Sequence, residues 1–178
     1  MPEDVLRFWF EEIQPAQWWK ADPGFDALVR ARFGPLHAAA VAAELHPWRR
    51  TPEGRLAEVI VLDQFSRNLH RGTPLAFAAD GMALALAQEA VAAGADQALP
   101  VAQRAFLYMP YMHSESRAIH ALSEALFSAP GLEANHASGL RHRAIVERFG
   151  RYPHRNAILG RASTAEELAF LQQPGSSF

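Results

Sequence analysis

Apolar residues recur three and four positions apart along almost the whole chain, and the period-two alternation of a half-buried strand is nearly absent. The pattern predicts a succession of helices. The first covers about residues 2–12, with Val5, Leu6, Phe8 and Trp9 as its apolar content and Ile13 just beyond. A second runs from about Gly24 to Leu45 through Phe25, Leu28, Val29, Phe33, Leu36 and Val41. Pro35 lies inside it and predicts a kink or a break, since proline has no N–H and its ring collides with the preceding turn. Thr51-Pro52-Glu53 supplies a cap, a proline at the first helical position and an early acid, opening a third helix to about Leu69. Thr73-Pro74 repeats that start, and the fourth helix runs to about Ala93 before Gly94. Pro100 opens a fifth, which Pro110 is expected to disturb. A sixth covers about Glu115 to Ala129, stopping at Pro130-Gly131, and a seventh about Leu132 to Phe149. Ser163 and Thr164, each three residues before a glutamate, offer overlapping capping boxes for a short last helix. Pro174 to Phe178 reads as a surface strap.

Short connections between helices favour antiparallel neighbours. The expected architecture is therefore all-α: a single domain over residues 1–178, built of stacked antiparallel helical hairpins with about seven or eight helices. No linker or low-complexity tract divides it. A clean repeat of the tetratricopeptide consensus, about 34 residues long, is not found.

Polar residues on apolar faces give the sharper signal. At about 100° per residue, Asp63 shares a face with Leu56, Val59 and Ile60, and Arg67 and Arg71 follow one and two turns later, with Asn68 at the helix end. An acid on a buried face costs several kcal/mol unless it is paired, and Arg67 is the obvious partner. His142 shares the face of Ile145, Val146 and Phe149, flanked by Arg141 and Arg148. Glu115 precedes Ile119 and Leu122 by one and two turns, and His113-Ser114-Glu115 follows Pro110, where irregular backbone is expected. Each has a plain structural reading as well. Asp63 with Arg67 reads as a buried ion pair, and His142 as a hydrogen-bonded core histidine. Trp9, Trp18 and Trp19 read as core or rim packing.

The segment Phe149 to Arg161 concentrates Arg151, His154, Arg155, Asn156 and Arg161 on a Gly- and Pro-punctuated connection. A guanidinium offers five N–H groups suited to carboxylate or phosphate, so the segment reads as one wall of an anion-facing pocket. Alternatively, His154 and Arg155 cap the carbonyls at a helix C-terminus, where cations are favoured.

Composition narrows the chemistry. A net charge of -2 argues against a nucleic-acid partner. With no cysteine, disulfides, thiolate catalysis and thiolate zinc sites are excluded. The start Met1-Pro2-Glu3-Asp4 is unlike a signal peptide, and no apolar run approaches the roughly 20 residues that span a bilayer. The expectation is a soluble cytoplasmic protein without a membrane partner. Lys20 is the only lysine, so a general preference for arginine limits what one surface arginine means.

Several long stretches resemble the bacterial family catalogued as domain of unknown function 924. They are Phe8-Trp9-Phe10, Trp18-Trp19-Lys20, Phe25-Asp26, Val61 to Asn68, Arg71 to Pro74, Phe77 to Asp80, Phe106 to Glu115, Arg148 to Arg161 and Pro174 to Phe178. The likeness covers nearly the whole chain. Ser66, often proline in the family, and Tyr152, often phenylalanine, are small departures. The resemblance implies a tetratricopeptide-like helical fold and brings no activity, substrate or catalytic residue.

Function is therefore argued from the residues. The first expectation is a pocket for a small carboxylate or phosphate, with the chain acting as a hydrolase or lyase. Asp63, His113, Glu115, His142 and His154 are the candidates for proton transfer. Arg67, Asn68, Arg71, Arg151, Arg155, Asn156 and Arg161 are the candidates for ligand binding. No cofactor or metal is called for; a metal held by His113, Glu115, His142 and His154 has only a commonplace His-x-Glu spacing behind it. The second expectation is a helical-repeat module that grips an acidic peptide without catalysis. The third is a polar network that only fixes the packing of the hairpins.

Overall fold

A helix that is apolar on every side belongs inside the molecule, and the run Leu56 to Phe65 meets that description except at Glu58, Asp63 and Gln64. In the computed structural model, which describes Met1–Phe178, every one of those ten positions is buried. The run lies in a continuous rod made of α3 (Pro52–Ile60), a π-helical turn (Val61–Phe65) and α4 (Ser66–Leu69). Around it are α1 (Pro2–Arg7), which continues as a π-helical turn over Phe8–Glu12, α2 (Pro23–Val41), α5 (Asp80–Ala92) and α6 (Val101–His113). Then follow α7 (Arg117–Phe127), α8 (Glu133–Phe149) and α9 (Ala165–Leu171), and no strand forms. The central α3 is packed by α1, α5 and α6, and α2 lies against α4. Beyond it, α6, α7 and α8 pack in succession, as neighbours in a hairpin series do.

The core is aromatic where α1 and α2 meet the rod. Phe33 lies 5.0 Å from Phe8 and 4.8 Å from Phe65 between ring centroids, and Trp9 lies 5.6 Å from Phe65. Trp9 is fully enclosed, whereas Trp19 is 62% exposed. A smaller cluster of Ile145, Val146 and Tyr152, with Phe149 and Phe170 against it, seals α8 to the following loop and α9.

Local signals explain several helix ends. The Thr51 hydroxyl accepts from the Gly54 amide at 3.1 Å. Gly54 must be glycine: a Cβ there would stand 1.9 Å from the Trp48 carbonyl oxygen. The Thr164 hydroxyl accepts from the Glu167 amide at 3.2 Å and the Glu167 carboxylate from the Thr164 amide at 2.8 Å, closing one of the two expected capping boxes. Gly150, at φ +70°, turns the chain out of α8 in the left-handed region that favours glycine.

Two sequence expectations are corrected, and two helices run unbroken through a proline. Pro35 does not break α2, which ends at Val41, and α6 runs past Pro110 to His113. Each proline forfeits one helical bond, and the buried neighbours Phe33, His37, Met109 and Tyr111 hold the rod together across it. Thr73-Pro74 opens only a 3-10 turn, Pro74–Ala76, and α5 starts at Asp80. The Thr73 hydroxyl donates to the His70 carbonyl at 2.8 Å and so does not cap a helix. The sixth predicted helix begins at Arg117, because Glu115 is drawn toward Arg161.

The span Pro74–Ala92 contains an 18-residue stretch with a mean hydropathy of 1.3. The turn before Asp80 leaves α5 with 13 residues, about 20 Å at 1.5 Å per residue and short of a roughly 30 Å hydrocarbon core.

Candidate active site

Asp63 sits in the π-helical turn of the central rod and is 1% exposed. Such a carboxylate must be matched by donors, and three converge on it. Arg67 Nη1 lies 3.2 Å from Oδ1, Gln64 Nε2 donates to Oδ2 at 2.6 Å, and His113 Nδ1 lies 2.7 Å from Oδ1. Burial works against ionisation, but the Arg67 charge and the His113 contact outweigh it and hold the carboxyl well below the ordinary range. An ionised carboxylate only accepts hydrogen bonds, so Nδ1 of His113 carries the proton. Burial, aided by the nearby Arg67 charge, keeps that imidazole neutral near pH 7 despite the pull of Asp63. Its Nε2 is left as a bare acceptor. It has no partner within the chain, yet it is not one of the fully enclosed unpaired atoms, and His113 lines a cavity.

His113 is the last residue of α6, where helix carbonyls lose their intrahelical donors. Side chains that follow later in the chain replace them. The Tyr152 hydroxyl donates to the Met112 carbonyl at 2.5 Å, Arg155 Nη2 to that of His113 at 3.0 Å, and His120 Nε2 to that of Ser114 at 2.8 Å. The helix-capping reading of Arg155 is thus realised in space rather than in sequence. His120 Nε2 also stands 3.0 Å from the Tyr152 hydroxyl oxygen.

The cavity has a volume of about 340 Å³. Asp80, His113, Ser114, Glu115 and Arg155 form its polar wall. Behind them, Arg67 bridges two acids: it reaches Asp63 and donates to both oxygens of Asp80 at 2.9 and 3.1 Å. Arg161 donates to both oxygens of Glu115 at 2.7 and 2.9 Å, and the Tyr152 amide adds a bond to Glu115 at 2.7 Å. Asn156 accepts from Arg161 Nε at 3.0 Å and fixes that guanidinium. Three carboxylates therefore face three guanidiniums, and two of those arginines are tightly matched. Arg155 is the exception. It is 5% exposed, its contact with Asp80 is 3.5 Å long, and its Nε is enclosed without a partner. Its guanidinium lies over the rings of Phe77 at 4.6 Å and Tyr152 at 4.7 Å. Burial and the Arg67 charge lower its pKa.

His142 and His154 flank Tyr152 beyond the cavity wall, with ring centroids 5.9 and 5.8 Å from it. The Phe178 ring covers both, 3.7 Å from His142 and 4.6 Å from His154. His142 Nδ1 donates to the Ser138 carbonyl at 2.8 Å. Burial pushes the pKa of His142 down to about 3 and that of His154 down to about 4.

Three proposed ligand-binding residues lie apart from the cavity. Arg71 and Asn68 both turn to Asp26 on α2, Arg71 donating at 2.6 and 2.9 Å and Asn68 at 2.8 Å. Arg151 is taken up by Glu167 of α9 at 2.6 and 2.8 Å. In each case an acid distant in sequence takes up the side chain. Sequence reasoning missed Asp80, Gln64 and Phe77 as parts of the site. Asp80 has no periodic signal because it opens a helix, and Phe77 lies in a turn. No group of three or more His, Asp or Glu side chains is arranged to hold a metal ion.

The family model described as "Bacterial protein of unknown function (DUF924)" matches residues 5–175. The chain belongs to this family. A solved structure of a protein of unknown function from Agrobacterium tumefaciens is similar over 96% of this chain and 96% of that one, with 39% sequence identity and a TM-score of 0.91. Among curated proteins, none matches the chain.

Proposed function

We propose that the chain binds a small anionic ligand in the cavity beside α5 and the end of α6, and that His113 serves there as a general base in a hydrolase or lyase reaction. The observation that carries this reading is the Asp63–His113 pair. A buried carboxylate fixes the imidazole tautomer and leaves the unprotonated Nε2 on the cavity side. Arg155, the least matched guanidinium of the wall, is the anchor for the ligand's negative charge. The cavity volume suits a small molecule better than a peptide segment.

Thermal-shift measurements against a panel of carboxylates and phosphates test the binding step. At least one anion is expected to raise the Tm of the wild-type chain and to raise that of Arg155→Gln by less than half as much. A panel with no response, or with equal responses in both proteins, overturns the reading. His113→Gln is expected to keep the shift and lose any turnover.

A further inference from the structure

We infer that the ligand of this cavity is an amphiphilic monocarboxylate, its carboxylate on Arg155 and an apolar chain or ring lying along Phe77, Leu84 and Leu159. The inference rests on the anion-binding reading above and narrows it to one substrate class.

Charge decides against a dianion. The cavity wall carries one guanidinium, Arg155, and two carboxylates, Asp80 and Glu115. Both acids are already engaged, Asp80 by Arg67 and Glu115 by Arg161. A phosphate would set two negative charges against a single weakly matched cation, with two carboxylates nearby. A carboxylate brings one charge, and its planar oxygens suit a guanidinium fork. It would supply the close partner that Asp80, at 3.5 Å, does not.

Away from the polar wall of Asp80, His113, Ser114, Glu115 and Arg155, the lining is apolar. Pro74, Phe77 and Leu84 face it from the α5 side, Pro110 from α6 and Leu159 from the loop after α8. A bare carboxylate such as acetate would leave that surface wet. An apolar tail removes it from water, and each buried methylene raises affinity several-fold. Phe77 contributes to both halves, since its ring also lies against the Arg155 guanidinium.

Isothermal titration calorimetry of the full chain with sodium octanoate, sodium acetate, inorganic phosphate and octan-1-ol tests this. Octanoate is expected to bind at least tenfold more tightly than each of the other three. Leu84→Asn and, independently, Leu159→Asn are expected to weaken octanoate at least fivefold and leave acetate unchanged, with circular dichroism melts confirming that each variant folds. Phosphate binding more tightly than octanoate overturns this inference and leaves the anion reading standing. Equal binding of octanoate and octanol shows that the carboxylate is not read and overturns it too. Octanoate affinity unchanged in both leucine variants overturns the placement of the tail. No heat from any of the four probes, together with a silent thermal-shift panel, overturns both readings.

Discussion

Arg155 reaches across 42 residues of sequence to hold the backbone carbonyl of His113 at 3.0 Å. The loop after α8 and the last turn of α6 are tied at a residue that lines the cavity. Replacing Arg155 by glutamine removes a charge-assisted bond and leaves a partly buried helix-end carbonyl without its donor. The expected loss of stability is about 2 kcal/mol, read from urea unfolding. A loss well under about 0.5 kcal/mol would mean that this tie does not constrain the folded chain.

Asp63→Asn tests the tautomer argument. A neutral amide no longer requires a proton on His113 Nδ1, and the partly buried Arg67 keeps only Asp80 as a counter-ion. The variant is expected to lose about 3 kcal/mol, and nitrogen-15 NMR of His113 is expected to move from the Nδ1–H tautomer toward a mixture. An unchanged Nδ1–H spectrum would separate the tautomer from the carboxylate.

Acid should destabilise the protein, through its buried histidines. Burial holds His142 at about 3 and His154 at about 4, against an ordinary 6.5. Between those values the unfolded chain binds more protons than the folded one, so stability falls as pH falls. The loss starts near pH 6.5 and is complete below about 3 for His142. At pH 5 that residue alone contributes a loss of about 2 kcal/mol relative to neutrality. His142→Gln should therefore show a flatter Tm between pH 7 and pH 5 than the wild-type chain. Identical slopes would count against the burial of a neutral imidazole there.

Gly54→Ala should be costly although alanine favours helices. Its Cβ would stand 1.9 Å from the Trp48 carbonyl oxygen, a backbone atom that cannot swing aside. A destabilisation of about 2 kcal/mol or more is expected in urea melts. A variant as stable as wild type would show that the turn before α3 shifts freely.

Arg71→Ala separates the Asp26 cluster from the cavity. It should cost about 1 kcal/mol, since the pair is partly exposed, and leave octanoate titrations unchanged. A large loss of ligand affinity would restore Arg71 to the site.

Helices were legible in the sequence because their apolar spacing and end residues are local. The part that escaped prediction is set by long-range packing. A regular helical face points to Asp63, yet the chain makes a π-helical turn there, and Val61 to Phe65 are buried all round. The burial of Asp63 follows from the rod's central position, which no local period encodes. Arg67 was identified because its partner is one turn away. Local spacing misplaces Arg71 and Arg151 because their acids, Asp26 and Glu167, lie 45 and 16 residues off. The clustering of donors between Arg151 and Arg161 was visible, but their division between Glu115, Glu167 and Asp80 depends on how α8 and α9 close.

The carbonyls of Met112, His113 and Ser114 take their donors from Tyr152, Arg155 and His120, all of which follow them in the chain. During synthesis the hollow cannot be finished when α6 leaves the ribosome. It waits for the segment after Gly150 to emerge and dock. A nascent chain stalled before that point would carry Asp63 and His113 and still lack the wall that Arg155 and Leu159 supply.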